Sequence, residues 1–279
     1  MVAIVSFDSA GTLLLALTLG AYALAMTIGR GSFGPVNVAL LLAAFVGVGL
    51  FVLTEARAAS PLIRLAMFGN PMLSAGFAAS ALVSTVLMAT LVVGPFYLSR
   101  ALGLEAALVG MVMSVGPLVA ALTGVPGGRI VDRFGAHHMT IAGLAGIAAG
   151  SFILSLIPAR FGIPGYVVPL VVITAGYALF QAANNTAVMT NISSDQRGVI
   201  SGMLNLSRNL GLITGASVMG AVFALTSGTT DITTSRPEAV AAGMSTTFVV
   251  AAGLIVAALV IAAGGRAVAR RLARAGGVS

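Results

Sequence analysis

The sequence predicts an all-α protein that crosses a membrane about eight times. The chain is 58% hydrophobic and only 8% charged, and its mean hydropathy is +1.08. A soluble domain normally carries about 25% charged residues. This chain has too few charges to cover a water-facing surface, so lipid is the expected solvent for most of its length.

Eight apolar runs are long enough to span a bilayer, because a spanning helix needs roughly 20 residues at about 1.5 Å rise per residue. The breaks between the runs contain Gly, Pro and Asn in combinations typical of turns. An even number of spans places both termini on the same side of the membrane. The runs lie at approximately residues 11–29, 36–54, 73–97, 106–125, 139–157, 166–188, 199–225 and 246–264.

The arginines indicate the orientation of the chain. All 14 basic residues are arginines, against seven acidic residues. With a cytoplasmic C-terminal tail, nine arginines lie inside, four lie outside and Arg208 falls within a span. Short arginine-rich loops stay in the cytoplasm, so we expect a multi-pass protein of the cell inner (plasma) membrane with both termini cytoplasmic. The inside set is Arg57, Arg64, Arg129, Arg133, Arg197, Arg266, Arg270, Arg271 and Arg274; the outside set is Arg30, Arg100, Arg160 and Arg236.

Loop lengths divide the chain unevenly. We expect a transmembrane hairpin at residues 1–56, a cytoplasmic connector at 57–72, a six-helix bundle at 73–265 and a basic cytoplasmic tail at 266–279. Apolar residues surround Arg64 in the connector, which suits a short helix lying in the membrane interface. The tail is expected to anchor the last span and to lie against anionic headgroups.

The charged segment between the fourth and fifth runs is the most informative stretch of the sequence. It reads Gly128-Arg129-Ile130-Val131-Asp132-Arg133-Phe134-Gly135. It resembles the loop signature of the major facilitator superfamily: a glycine, then Asp-Arg, then a second glycine, between the second and third helices of each six-helix half. Here it lies between the second and third helices of the predicted bundle. Ala136 and His137 stand where the family favours a basic pair.

Other segments resemble the fourteen-span drug:proton antiporter branch of that superfamily. Some look like its extra central hairpin, and another looks like the start of its penultimate helix. By this resemblance the chain corresponds to spans seven to fourteen: a two-helix hairpin plus a six-helix major-facilitator half-bundle. The segments are Phe7-Asp8-Ser9-Ala10-Gly11, Gly31-Ser32-Phe33-Gly34, Phe51-Val52-Leu53-Thr54-Glu55 through Ile63, and Arg197-Gly198 through Arg208-Asn209-Leu210-Gly211.

The resemblance implies the C-terminal portion of a membrane transporter. Its implied activity is multidrug or small-molecule efflux by alternating access, with proton coupling in the intact protein. The superfamily binds substrate near the midplane between two halves, so half a transporter has half a site. The alternatives are a truncated, non-transporting remnant, or a subunit that assembles with a separate N-terminal half or a second copy.

Four residues of the charged segment are candidates for a gating loop: Gly128, Asp132, Arg133 and Gly135. The aspartate can cap a neighbouring helix N-terminus, where the macrodipole favours an anion. The arginine can pair across a cytoplasmic gate through charge-assisted hydrogen bonds. The alternative is an ordinary solvated turn whose charges set the topology.

Six polar residues in the sixth and seventh spans are candidates for a substrate cavity. Arg208 lies about 14 Å into its span, and a charge at that depth normally faces a cavity or a partner. Alternatively, Arg208 snorkels to the cytoplasmic interface and the amides hold helices together. The six are Tyr177, Gln181, Asn184, Asn185, Asn205 and Arg208.

Two glycine pairs, Gly146 with Gly150 and Gly211 with Gly215, have the small-xxx-small spacing that lets membrane helices approach closely. We expect a packing role for both pairs. The pattern is common in membrane helices and has little bearing on function.

Several classes of function lack their residues in this sequence. All seven acidic residues lie at span ends or in loops, so we expect no proton-carrying carboxylate at the midplane and assign any coupling proton to the missing half. No phosphate-cradling loop, metal-ligand cluster or nucleophile–base pair is visible. We therefore expect no enzyme, cofactor or metal, and the arginine placement argues against nucleic acid as a partner.

Overall fold

The computed structural model describes residues 8–28, 34–58, 61–190, 192–228 and 236–276. Within these ranges the regular structure is helical, and eight helices are long and apolar enough to cross a membrane. The predicted all-α, eight-span fold class is confirmed. The helices are α1 (Ser9–Thr27), α2 (Pro35–Arg57), α3 (Pro71–Phe96), α4 (Ala106–Phe134), α5 (Ala136–Leu156), α6 (Gly162–Met189), α7 (Arg197–Ser227) and α8 (Pro237–Gly276).

Short turns connect several of the helices. The connector between α2 and α3 contains a 3₁₀ turn, Leu65–Gly69, in the segment where a short helix is expected. A π-helical turn, Tyr97–Ala101, continues α3 and begins two residues after Pro95. Pro95 has no backbone N–H, so it cannot donate the usual helical hydrogen bond. The turn that follows is closed by a hydrogen bond spanning five residues, from the Leu102 nitrogen to the Tyr97 oxygen (3.1 Å). A second 3₁₀ turn, Ala159–Phe161, precedes α6.

The backbone contacts divide the chain into two compact units, one ending at Ser74 and the other beginning at Ala75. In the first unit α1 packs along α2. The Asn37 side chain of α2 donates to the carbonyl oxygens of Ala25 (2.7 Å) and Ile28 (2.5 Å) at the end of α1. One buried amide thereby satisfies two helix-end carbonyls that have no partner within α1.

The second unit is a six-helix bundle of α3 to α8. Helix α5 packs against α6 and α8, α4 packs against α6, and α7 packs against α8. Helix α3 contacts α6 and α7. It is the most enclosed span: 61% of the residues in its apolar stretch are buried, against 6% for α4. A continuous apolar core joins these helices.

Glycines set the closest helix approaches in the bundle. A Cβ atom at Gly211 would overlap the carbonyl oxygen of Ala81 on α3, and one at Gly215 would lie 2.5 Å from that of Thr85. The expected close packing at this pair is found. On α5, a Cβ at Gly150 would lie 3.0 Å from the Pro169 oxygen of α6, whereas the corresponding distances at its predicted companion Gly146 are 3.5 Å or more.

Two helices extend well beyond their apolar runs. Helix α4 continues through the charged segment to Phe134, and α8 continues through the basic tail to Gly276 over 40 residues. Some residues singled out in the sequence fall outside the described ranges. They include Phe7, Arg30, Gly31 to Phe33, residues 59–60, residues 277–279 and Asp231, one of the seven acidic residues.

Candidate functional site

The candidate gating segment is helical rather than a loop. Gly128, Asp132 and Arg133 belong to the last turns of α4, and Gly135 is the single residue between Phe134 and the start of α5. Gly135 has φ 85° and ψ 139°, a backbone conformation that residues with a Cβ rarely adopt. The second glycine of the motif is therefore required for the sharp reversal between the two helices.

The charged side chains of this segment are exposed. The Arg133 guanidinium lies 5.4 Å from the ring centroid of Phe134. No side chain caps the N-terminus of α5, so Asp132 does not cap that helix in this structure. Within the described residues, Asp132 forms no hydrogen bond or ion pair, and the gating role of these residues stays a prediction.

A polar cluster joins α6 and α7 around Arg208. Its guanidinium donates to Asn185 Oδ1 across the helix pair at 2.8 Å and reaches Asn205 Oδ1, one turn earlier on its own helix, at 3.5 Å. The arginine side chain is half-buried. It faces a partner, as expected for a charge within a span, and three of the six cavity candidates are brought together here.

Arg208 agrees in part with both expectations: its backbone lies deep in the span, and its side chain extends towards the helix end. The arginine lies eleven residues into α7, about 17 Å along the axis. Asn185 lies four residues before the end of α6, only about 6 Å from it. Because α6 ends where α7 begins, the guanidinium extends back towards that end of the helix pair.

Asn184 lies on a different side of α6 and is 4% exposed. Its amide donates to the Ser80 hydroxyl at 2.9 Å and to the Gly76 carbonyl oxygen at 3.2 Å, both on α3. This arrangement favours the alternative in which the amide holds helices together. Gln181 is half-buried and makes no hydrogen bond to the described residues.

Tyr177 borders an apolar cavity of about 190 Å³ between α3, α4 and α6. Periodicity alone did not single out the apolar walls of this cavity, because leucines and alanines in spans are usually packing residues. The lining residues are Leu87, Thr90, Leu91, Met113, Gly116, Pro117, Ala120, Leu170, Thr174 and Tyr177.

Comparison with known proteins identifies relatives among transporters. The uncharacterized transporter YebQ of Escherichia coli (strain K12) is 28% identical over 214 residues, covering 76% of this chain and 47% of its own length. Quinolone resistance protein NorB of Staphylococcus aureus (strain MRSA252) is 26% identical, covering 82% of this chain and 50% of its own. Drug efflux pump JefA of Mycobacterium tuberculosis (strain CDC 1551 / Oshkosh) is 31% identical, covering 76% and 42%. The chain spans about half the length of these curated relatives.

The fold also matches a solved transporter structure. Nucleoside transporter NupG superposes with a TM-score of 0.57 at 17% sequence identity, over 91% of this chain and 65% of its own. At that identity the likeness describes the fold alone. A family profile described as Major Facilitator Superfamily matches residues 1–216, which is more than half of the chain. The chain therefore belongs to the Major Facilitator Superfamily, as a multi-pass membrane protein related to drug efflux pumps.

Proposed function

We propose that this chain is the C-terminal portion of a proton-coupled exporter of apolar small molecules, working by alternating access. The motif on α4, the hairpin preceding a six-helix bundle and the drug-efflux relatives support this proposal. The observation that carries it is the cavity between α3, α4 and α6. Binding between two six-helix halves is the general arrangement for transporters with repeated halves.

The walls of the cavity indicate the chemistry of its ligand. Seven of its ten lining residues are apolar side chains or glycine, and the polar ones are Thr90, Thr174 and Tyr177. Both threonines are at least 95% buried. Such a site accepts an aromatic or aliphatic group and offers the Tyr177 hydroxyl for orientation.

The size of the cavity supports a shared site. Ligand pockets for drug-sized molecules are typically about 300–1,000 Å³, and this cavity is about 190 Å³. It encloses one ring-sized group, so the remaining surface of a substrate is covered by another six-helix half. That half is either a separately made N-terminal portion or a second copy of this chain.

The arginine distribution supports an orientation for the proposal. In this orientation the cytoplasmic side carries both termini and the joint between α4 and α5. It also carries the end of the hairpin where α1 begins and α2 ends. Asp132 and Arg133 then stand at the cytoplasmic end of α4. Their exposure leaves both side chains available to the other half during the transport cycle.

A matched pair of substitutions on α4 tests the cavity. Ala120 lines it and Ala121 is exposed beside it, so Ala120→Leu fills the cavity while Ala121→Leu makes the same change outside. The chain is expressed with and without an N-terminal six-helix half, and efflux of a fluorescent apolar dye is measured. We expect efflux only with the second half, and a loss of at least about tenfold for Ala120→Leu alone.

Two results would contradict the proposal. Equal efflux by the two variants would remove the cavity from the substrate path. An absence of dye binding and efflux under every pairing, with the chain folded and inserted, would support the non-transporting remnant instead.

A further inference from the structure

Arg208 carries a positive charge within α7 that no carboxylate of the described chain neutralises. The side chain is half-buried, and its backbone lies eleven residues into the helix. Its hydrogen-bond partners, Asn185 and Asn205, are neutral amides, and it forms no ion pair among the described residues. A charge within a membrane span is costly unless a partner compensates it, and it commonly marks a site for an ion or a substrate.

The guanidinium of Arg208 also has spare hydrogen-bond donors. An arginine side chain has five N–H groups. One on Nη2 donates to Asn185 Oδ1 at 2.8 Å, and one on Nη1 reaches Asn205 Oδ1 at 3.5 Å. The other three have no acceptor among the described residues. The short contact with Asn185 crosses from α7 to α6 and restricts the orientation of the guanidinium plane.

Amide donors on α6 lie beside this charge. Asn185 uses Oδ1 to accept from Arg208, so its Nδ2 group lies next to the guanidinium, and it has no partner in the described part of the chain. Gln181 lies one helical turn earlier on the same face of α6. It is half-buried and also makes no hydrogen bond to the described residues. The cluster thus combines one cation with unused N–H donors and contains no carboxylate.

We infer that Arg208 and Asn185 form a binding site for one oxyanion, the carboxylate or phosphate group of a ligand. The planar fork of the guanidinium matches two oxygens of such a group through charge-assisted hydrogen bonds. The Nδ2 group of Asn185 supplies a further donor beside it. The bound oxyanion provides the missing counter-charge, which a neutral ligand would not do and a metal cation would make worse.

This site is distinct from the apolar cavity between α3, α4 and α6. Tyr177 borders that cavity, whereas Asn185 and Arg208 do not. Asn185 lies eight residues after Tyr177 on α6, about 12 Å along the helix axis. The inference therefore does not depend on the transport activity proposed above.

Two sources present the same oxyanion chemistry to this site. The headgroup of an anionic lipid reaches it from the membrane interface, because the guanidinium extends towards the end of the helix pair. A soluble anion reaches it from water at the same end. The site is defined by the oxyanion, and the source is decided by comparing a lipid probe with a soluble probe.

Thermal unfolding of the full chain in maltoside micelles, which contain no phosphate, tests the inference. A ligand that binds only the folded state raises the unfolding temperature in proportion to its affinity and concentration. The probes are phosphatidylglycerol, with phosphatidylcholine as its reference, and methyl phosphate, with chloride at equal ionic strength as its reference. We expect at least one probe to stabilise the chain, with an apparent Kd about tenfold weaker or more in Arg208→Gln, the loss of a charge-assisted hydrogen bond.

Two further variants separate the site from general charge effects and from misfolding. Arg197→Gln removes the same charge at the exposed start of α7 and should leave the apparent Kd within about twofold of that of the unsubstituted chain, less than one hydrogen bond contributes. Asn185→Asp places a carboxylate beside Arg208 with almost no change in shape. We expect this variant to be at least as stable without probe and to lose the response to the probe, because the new carboxylate occupies the guanidinium.

Each result decides for or against the site. Stabilisation by methyl phosphate supports it with a soluble anion as ligand, and stabilisation by phosphatidylglycerol alone supports it with a lipid headgroup as ligand. No response to either probe would overturn the inference. An equal response in the unsubstituted chain and in Asn185→Asp would also overturn it, even where Arg208→Gln fails to fold.

Discussion

The contact between α3 and α7 gives a sharp prediction for Gly211→Ala. A methyl group at this position would overlap the backbone oxygen of Ala81 and lie 2.8 Å from Cβ of Ser84. Backbone atoms cannot rotate away as a flexible side chain does, so the two helices must separate. The separation also breaks the hydrogen bond from the Thr85 hydroxyl to the Gly211 carbonyl oxygen (3.0 Å).

The magnitude follows from these two losses. Overpacking a fitted contact costs about 1–3 kcal/mol, and a hydrogen bond between membrane helices contributes about 0.6 kcal/mol. Replacing glycine by alanine in a helix stabilises it by about 1 kcal/mol, and this gain must be removed by a control. Gly202→Ala provides it, because Gly202 is exposed on the same helix with nothing within 4 Å of its added Cβ.

Equilibrium unfolding of both variants in bicelles measures the difference directly. We expect Gly211→Ala to be less stable than Gly202→Ala by about 1.5–3.5 kcal/mol, combining the overpacking and hydrogen-bond losses. Equal free energies of unfolding would show that α3 and α7 do not meet backbone to backbone, and the reasoning from close approach would be wrong.

Three further predictions concern other parts of the bundle. Gly135→Ala should lower the free energy of unfolding by about 1–3 kcal/mol because of its positive φ, whereas Gly128→Ala, within α4, should not lower it; equal effects would contradict the turn geometry. Asn184→Ala should destabilise by about 1 kcal/mol and the exposed Asn209→Ala should not, in the same unfolding assay; no difference would remove the α3–α6 bridge. The chain has no cysteine, so Asp132→Cys should be labelled by an impermeant maleimide only in inside-out vesicles, and labelling in intact cells would reverse the proposed orientation.

The eight helices were predictable because each requires a long apolar run, and lipid leaves few other ways to satisfy such a segment. Their ends were not. The Gly127-Gly128 pair reads as turn punctuation, yet it is helical in α4. Neither glycine marks a close helix approach: a Cβ on Gly127 would lie at an ordinary contact distance, 4.0 Å, from the Ala178 carbonyl oxygen of α6, and one on Gly128 would have nothing within 4 Å.

The sequence indicated which residues belong to the candidate site, but not which of them contact each other. Periodicity placed Tyr177 and Asn184 on one helix but did not show that one borders a cavity while the other bonds to α3. Those contacts depend on which helices lie beside α6. Similarly, Glu55 was recognised as lying at a span end, but only the folded hairpin brings its side chain against Asp8.

The single-residue connection at Gly135 determines how motion passes through this bundle. A linker of one residue has no slack, so the end of α4 cannot shift without carrying the start of α5 with it. Helix α5 is in turn fitted to the backbone of α6 at Gly143 and Gly150. A partner that binds at Asp132 and moves the end of α4 would therefore also move the start of α5, and with it the part of α6 packed against α5.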